Sequence, residues 1–548
     1  MFRSIGAIVL ATIASATFAQ ATPSVPKRDP AAINAIVNAP LPDDQAAMKA
    51  HVMFLASDAM RGREAGSPEF DIAAQYVAAQ FYAAGLRPAG DDGGYLQKVP
   101  LVTYHAADKG DLVLSRKGAA PQRLVFGEDY VPGAIAGKAE TALDTRVVFV
   151  GYGIVASQYK RDDYAGVDVR GKIVAYFGGA PGDYQSEERA HFASPITKAM
   201  IAEARGAVGA ILLQRGTGGG GRGWDQVRTT WARRDGTGEI SGVPQLATLT
   251  DKGAAKLFAG ARNPWPQVAK RAGVDNAVFA AEQLPGSLTV ALRTVFQQGA
   301  SSNVAGIIPG SDPKLGPEVV ILSAHLDHLG VRAPVNGDSI YNGAEDNAVG
   351  IASLIEEARR FKLSGKPPRR SVMFLAVTAE EKGLVGSSYF AAHPTVPIDR
   401  IVADVNLDMP VLTYKFEDMT VFGAERSTLG PIVAKAVATL GVSLSPDPDP
   451  SESFFVRSDH YNFVRKGIPS VFLWPGEAGP GKAAFEDFLA HHYHQPSDEV
   501  SLPIDWSQGI RFVDANYAIA REIADGDARP RWNKGDFFGL LYNGYGAK

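Results

Sequence analysis

From Val304 onward the chain repeats one pattern, a short apolar run followed by a stretch with helical spacing. Strand-like runs cover Glu318 to Ala324, Ser371 to Thr378, Ile401 to Leu407 and Pro469 to Trp474. Helical patterns cover Gly350 to Phe361, Leu384 to Ala392, Pro431 to Leu440 and Ile510 to Ile523. Strands alternating with helices predict an α/β fold, a three-layer structure around a mostly parallel sheet. Sites in such sheets form beyond the carboxyl ends of the strands. Here those ends carry His325, the pair Glu380–Glu381, and Asp408, and the fourth run precedes the loop that holds His494.

At 548 residues the chain is too long for one ordinary core, so two or more domains are expected. It is 45% hydrophobic and 21% charged with a net charge of -4, which gives no ground for nucleic acid or an anionic membrane as partner. Arg3, the apolar run Ile5 to Ile13 and the small residues ending in Ala19-Gln20-Ala21 fit a secretory signal peptide over 1–21. A buried N-terminal helix is the alternative. The absence of cysteine removes a lipoprotein anchor, thiolate zinc sites, a cysteine nucleophile and disulfides together. A periplasmic or secreted protein is expected, with no membrane insertion, because no later stretch is apolar for the ~20 residues a crossing needs.

Between the two ends the organisation changes. A Pro/Ala-rich leader (Pro23 to Pro42) gives way to a largely helical stretch, Asp44 to Gly85, interrupted by the glycine-punctuated loop Arg61 to Gly66. The block from Gly137 to Pro285 holds compact apolar strands, such as Lys172 to Phe177, and one or two helices, and it carries none of the acid–histidine set. It is expected to be an inserted, mainly β module. The predicted domains are therefore 22–136 and 286–530 for the main body, 137–285 for the insertion, and 531–548 for a C-terminal tail. Gly216 to Gly223 imitates a phosphate-cradling loop, but no helix pattern opens after it and the G-x-x-x-x-G-K-[ST] spacing is missing, so a surface loop is expected.

The polar residues at the strand ends suggest metal chemistry. Two divalent cations need about five protein groups when one carboxylate bridges them, and hydrolysis needs a further base that is not a ligand. His325, Asp346, Glu381, Asp408 and His494 supply the five, and Glu380 stands beside one of them. Asp346 precedes an apolar helix among small residues and is the candidate bridge; a helix cap is its plain alternative. Adjacent acids Glu380 and Glu381 repel each other unless a cation lies between them, and burial would raise Glu380 toward the range of a working base. Asp327, two residues beyond His325, is expected to accept its second ring N–H through the carboxylate. Tyr493 is a candidate donor to a developing oxyanion. No G-x-S-x-G elbow supports a serine hydrolase.

With these residues laid out, the chain resembles the secreted co-catalytic dizinc aminopeptidases, whose catalytic fold is shared with glutamate carboxypeptidase. The matching stretches are His325-Leu-Asp-His-Leu-Gly, Asp338-Ser-Ile-Tyr-Asn-Gly-Ala-Glu-Asp-Asn-Ala, Ala379-Glu-Glu-Lys-Gly-Leu-Val-Gly-Ser, Asn406-Leu-Asp-Met, Arg457-Ser-Asp-His and Tyr493-His-Gln-Pro-Ser-Asp, in family order. The resemblance implies two zinc ions, with cobalt or manganese as possible substitutes. His325 and Asp408 would hold one, Glu381 and His494 the other, with Asp346 between them. Glu380 would be the base, Asp327 the partner of His325, and Tyr493 and Arg457 the groups that place substrate. The middle block would be an inserted protease-associated domain. Glu345 and Val349 depart from the Asp and Ser often found there. The implied activity is removal of N-terminal residues from peptides, with a carboxypeptidase or a non-catalytic receptor-like protein as the alternatives on the same scaffold.

Overall fold

The computed structural model describes residues 30–214, 223–239, 241–274 and 276–548. The expected signal peptide and most of the Gly216–Gly223 run lie outside them. Two compact units are present, Met1–Ala39, in which Pro30–Val37 is helical, and Pro40–Lys548. Among the described residues no helix is long and apolar enough to cross a membrane.

The elements that position the site are α1 (Asp43–Leu55), α2 (Pro68–Ala83), β1 (Leu96–Ala106), β2 (Ser287–Ile308), β3 (Val319–His325), α3 (Val349–Leu363), β4 (Ser371–Val377), α4 (Val385–Ala392), β5 (Ile401–Leu407), β6 (Ser470–Pro475) and α5 (Trp506–Asp525). Local signals set several of their ends. Ser67 accepts the Phe70 N–H and Pro68 occupies the first turn of α2, while Asp505 accepts the Ser507 and Gln508 N–H groups at the start of α5.

In the sheet the strands run β1-β2-β4-β3-β5-β6. The four expected strands are its parallel centre, whereas β1 and β2 flank them in antiparallel pairing and Asp418–Phe422 pairs antiparallel with β6. The sheet is thus mixed at its margins. Successive residues of a strand face opposite sides. Val320, Leu322, Ala324, Val372, Phe374 and Ala376 pack with α1, α2, α3 and α5 on one face. Val319, Ile321, Met373, Leu375 and Val377 pack with Phe390 of α4 and with Phe463 on the other. Both faces are covered, which is why these strands read as unbroken apolar runs.

Register fixes where the strand ends fall. His325 pairs with Val377 and Ala324 with Leu407, so β3, β4 and β5 finish level with one another. The chain leaves β3 for β4 on one side and then crosses to β5 on the other. That reversal opens a crevice at the carboxyl edge, where ligands bind in open α/β sheets.

A second sheet joins Glu282–Gln283, Val147–Phe149, Ile173–Phe177, Gly209–Leu213, Gln245–Leu249 and Tyr130–Pro132 around its own apolar core. Tyr130–Pro132 lies ahead of the Gly137 boundary read from sequence. Four helices accompany this sheet, Ser186–Ala193, Pro195–Ala204, Asp251–Leu257 and Trp265–Ala272, against an expectation of one or two. They are 7 to 10 residues long, too short for helical periodicity to stand out in the sequence. β2 serves both sheets' neighbourhoods. Its first part pairs with Asp111–Ser115 and Glu140–Thr145, and its later part with β1 and β4.

The helix Ser186–Ala193 is also tied to the catalytic side of the molecule. Arg426 reaches Glu187 at 3.1 Å and Asp536 at 3.2 Å, with its guanidinium over the Phe455 and Phe538 rings. His191 Nδ1 meets the Tyr461 hydroxyl at 2.9 Å and its ring packs against Phe537 and Phe538.

Candidate metal centre

The residues singled out at the strand ends converge at the carboxyl edge. His325 Nε2 lies 3.0 Å from Asp408 Oδ1 and 3.2 Å from Asp346 Oδ1. His494 Nε2 lies 3.4 Å from Asp346 Oδ2 and 3.2 Å from Glu381 Oε2. Asp346 therefore turns one oxygen toward each histidine, the disposition a bridging carboxylate needs. A third histidine, His328, places Nδ1 2.8 Å from Glu381 Oε1 and 3.9 Å from Asp346 Oδ2. Two sets of donor atoms are close enough to share an ion, His325–Asp346–Asp408 and His328–Asp346–Glu381.

Buried polar groups hold these side chains in place. Asp498 accepts the N–H of Glu345 at 2.8 Å and of Asp346 at 3.0 Å. Asn347 donates to the Leu407 carbonyl at 2.9 Å and accepts from Met409 and Gly350, which locks the Asp346 loop to the end of β5. Ser458 donates to Asp408 Oδ2 at 2.5 Å and accepts from Asn406, whose amide oxygen accepts from Ser323 of β3. Arg63 enters from the glycine-punctuated loop. Its fully buried guanidinium donates to the carbonyls of Leu326, Leu55, Asn342, Gly343 and Asp346, joining the segments that carry His328 and Asp346. Gly62 at φ 68 permits this approach, because a Cβ there would lie 2.4 Å from the Tyr341 carbonyl oxygen.

The expected role of the Asp327 carboxylate needs correction. His325 Nδ1 meets the main-chain carbonyl of Asp327 at 3.1 Å, and the carboxylate instead accepts the Glu380 N–H at 3.0 Å. β3 stops at His325, so the two-residue periodicity of an extended strand does not continue to Asp327. The ring is still oriented by an acceptor, as metal histidines usually are.

The electrostatics follow from a buried, acid-rich pocket. Burial pulls the His325 imidazole down, but Asp408 and Asp346 outweigh it and hold it well above its ordinary value. His494 responds in the same way to Asp346 and Glu381, reaching about 10. Burial works against the Asp346 charge, yet its bonds to His325 and His494 keep it well below the usual carboxylate range; Glu381 falls to about 2 for similar reasons. Glu380 is different. Burial, then Asp408, Glu381 and Asp459 against the opposing pull of His325, lift its carboxyl well above the ordinary range. Burial raises Glu345 to about 8, so this departure from the family pattern adds a neutral acid rather than another charge.

The remaining two residues fall in different places. Tyr493 stacks on His494 with ring centroids 3.8 Å apart, at the edge of the cluster. Arg457 is not brought into it. The guanidinium pairs with Glu452 at 2.8 Å, lies over the Phe454 ring, and lines a cavity of about 330 Å³ together with Arg189 of the inserted block. His328, Arg63, Asp498 and Ser458 were not assigned from sequence. His328 stands inside a quoted motif and Arg63 inside a noted loop, but nothing local marks either as part of the site.

The fit to cations rests on donor chemistry. Imidazole nitrogens and carboxylates suit zinc, and the buried atoms Glu381 Oε1 and His328 Nδ1 have no hydrogen-bond partner among the described residues. Fold and site together define an α/β protein with an acid–histidine cluster at a topological crossover. Residues 303–520 match Peptidase family M28, and over that stretch the chain belongs to the family.

Curated relatives agree in kind. The chain is 26% identical over 234 residues to leucine aminopeptidase 1 of Trichophyton rubrum, covering 41% of this chain and 58% of the relative. It is 29% identical over 193 residues to leupeptin-inactivating enzyme 1 of Streptomyces exfoliatus (34% and 39%). It is 28% identical over 211 residues to aminopeptidase YwaD of Bacillus subtilis (37% and 41%). The chain thus spans about half the length, or less, of these relatives. A solved aminopeptidase from Aneurinibacillus sp. strain AM-1 aligns at TM-score 0.47 and 22% identity, over 90% of this chain and 96% of that one.

Proposed function

We propose that this protein is an exported zinc-dependent exopeptidase, an aminopeptidase that removes N-terminal residues from peptides. The observation that carries the reading is the division of the Asp346 carboxylate between two histidine groups, with the unliganded Glu380 alongside. His325 and Asp408 would hold one zinc ion, Glu381 and His494 the other, and Asp346 both. When bound, such a pair polarises a scissile carbonyl and lowers the pKa of water into the neutral range.

The chain's own groups do the rest. Glu380 accepts the proton of the attacking water and delivers it to the leaving amine, a role its raised carboxyl suits. The Asp327 carboxylate fixes the Glu380 backbone, and the Asp327 carbonyl fixes the His325 ring. The Tyr493 phenol, kept neutral by burial and the surrounding carboxylates, remains a donor for the oxyanion. The block 137–285 is proposed as a protease-associated insertion, with Arg457 and Arg189 lining the cavity where it meets the catalytic side.

Glu380→Gln tests the assignment. It is expected to keep both zinc ions and lose about 10²–10⁴-fold in kcat. Full turnover in that variant, with zinc retained, would remove Glu380 from the mechanism.

A further inference from the structure

His328 is buried as deeply as the strands beneath it, at 1% exposure, and neither ring nitrogen has a hydrogen-bond partner among the described residues. A buried imidazole left in that condition is costly unless something else occupies it. Its Nδ1 approaches Glu381 Oε1 to 2.8 Å, yet both atoms lack hydrogen-bond geometry, so the pair converges without an N–H aimed from one to the other. Two donor atoms that close, facing a common point, have the geometry of neighbouring ligands.

The other distances agree. Nδ1 of His328 to Asp346 Oδ2 is 3.9 Å, His494 Nε2 to Asp346 Oδ2 is 3.4 Å, and His494 Nε2 to Glu381 Oε2 is 3.2 Å. A tetrahedron whose corners lie about 2.0–2.1 Å from its centre has edges of about 3.3 Å. The spread around that value is what four side chains closing on one ion produce. The ring also has little freedom to turn away. Its backbone N–H donates to the Arg63 carbonyl at 3.4 Å, and Gly343, at φ 62, leaves only the space of a missing Cβ beside it, a Cβ there falling 2.5 Å from His328 Cγ.

We infer that His328 is itself a ligand, through Nδ1, of the ion that Glu381 and His494 hold. This rests on the two-cation reading above and extends it. The two positions are then unequal. One is closed by four side chains, Asp346, Glu381, His328 and His494. The other has three, His325, Asp346 and Asp408, and keeps a place open. Structural zinc sites are closed and catalytic ones keep an open position. The His325 position is thus the one that meets water and substrate, and the Glu381 position is the anchor.

X-ray absorption of the zinc-loaded, full-length mature protein counts imidazoles on zinc and needs no variant. Three histidines shared by two zinc ions are expected, against two if His328 stays outside the shell. His328→Ala should remove one of them and weaken a single ion of the pair by more than the about 10–100-fold that loss of an outer hydrogen-bond partner costs. Release to a chromogenic chelator should have two phases in the parent protein, with the slow phase lost in the variant. Two zinc ions with only two imidazoles, unchanged in His328→Ala, would overturn the inference and leave the proposed function standing. Failure of the parent protein to bind zinc would overturn both.

Discussion

Arg63 sits under the centre without touching any proposed ligand side chain, so its substitution separates architecture from chemistry. Its guanidinium serves five buried carbonyl oxygens, Leu326 at 2.8 Å, Leu55 at 3.2 Å, Gly343 at 2.6 Å, Asp346 at 3.4 Å and Asn342. Burial lowers its pKa to about 10, with Asp346, Asp498, Asp327 and Glu381 opposing that, so it is charged at neutral pH. In Arg63→Lys the charge survives, but an ammonium offers three donors in place of a planar fork. At least two carbonyls then lose their partner, and each costs about 1–3 kcal/mol. The expected loss is about 2–6 kcal/mol, a large part of the about 5–15 kcal/mol that holds most domains. Equilibrium urea unfolding with and without zinc measures it, and competition with a zinc indicator should show weakened binding, because the His328 and Asp346 segments are no longer joined. A midpoint within the about 0.5 kcal/mol typical of a surface change, with zinc affinity intact, would refute the reasoning.

Asp346→Asn should release both ions and not one, since each histidine group faces a different oxygen of that carboxylate; elemental analysis showing one tightly held zinc would argue against bridging. His191, buried and pushed down to about 4 from 6.5, stays neutral in the fold while the unfolded chain takes up its proton. Stability should therefore fall as pH drops from 6.5 toward 4, by about 2 kcal/mol at pH 5, and His191→Gln should flatten that part of the profile; an unchanged profile would place the titration elsewhere. Peptides with a blocked N-terminus should resist cleavage, and steady trimming of such substrates from the carboxyl end would make the enzyme a carboxypeptidase.

Much of this arrangement can be read from the sequence because parallel strands end where their apolar runs end. His325, Glu381 and Asp408 each follow such a run, and the level register of β3, β4 and β5 turns three distant positions into one edge. Asp346 and His494 lie in loops, where composition alone left a cap and a surface loop as rivals. The supporting residues were hidden for another reason. Arg63 acts through carbonyls contributed by four separate segments, and Asp498 and Ser458 through single hydrogen bonds made after the chain has folded back. Asp327 shows the opposite failure, a local rule applied one residue past the point where the strand stops.

The strand Ser287–Ile308 has a mechanical consequence. Its 22 residues run unbroken from the pairing with Glu140–Thr145 to the pairing of Val304 with Ala376, one residue before the end of β4. No joint interrupts it, so a tug on the outer block is delivered as torsion along a single beam to the strand that ends beside Glu380. Cargo docking far from the chemistry would be felt there as a twist, and stiffening that beam is the way to silence the message.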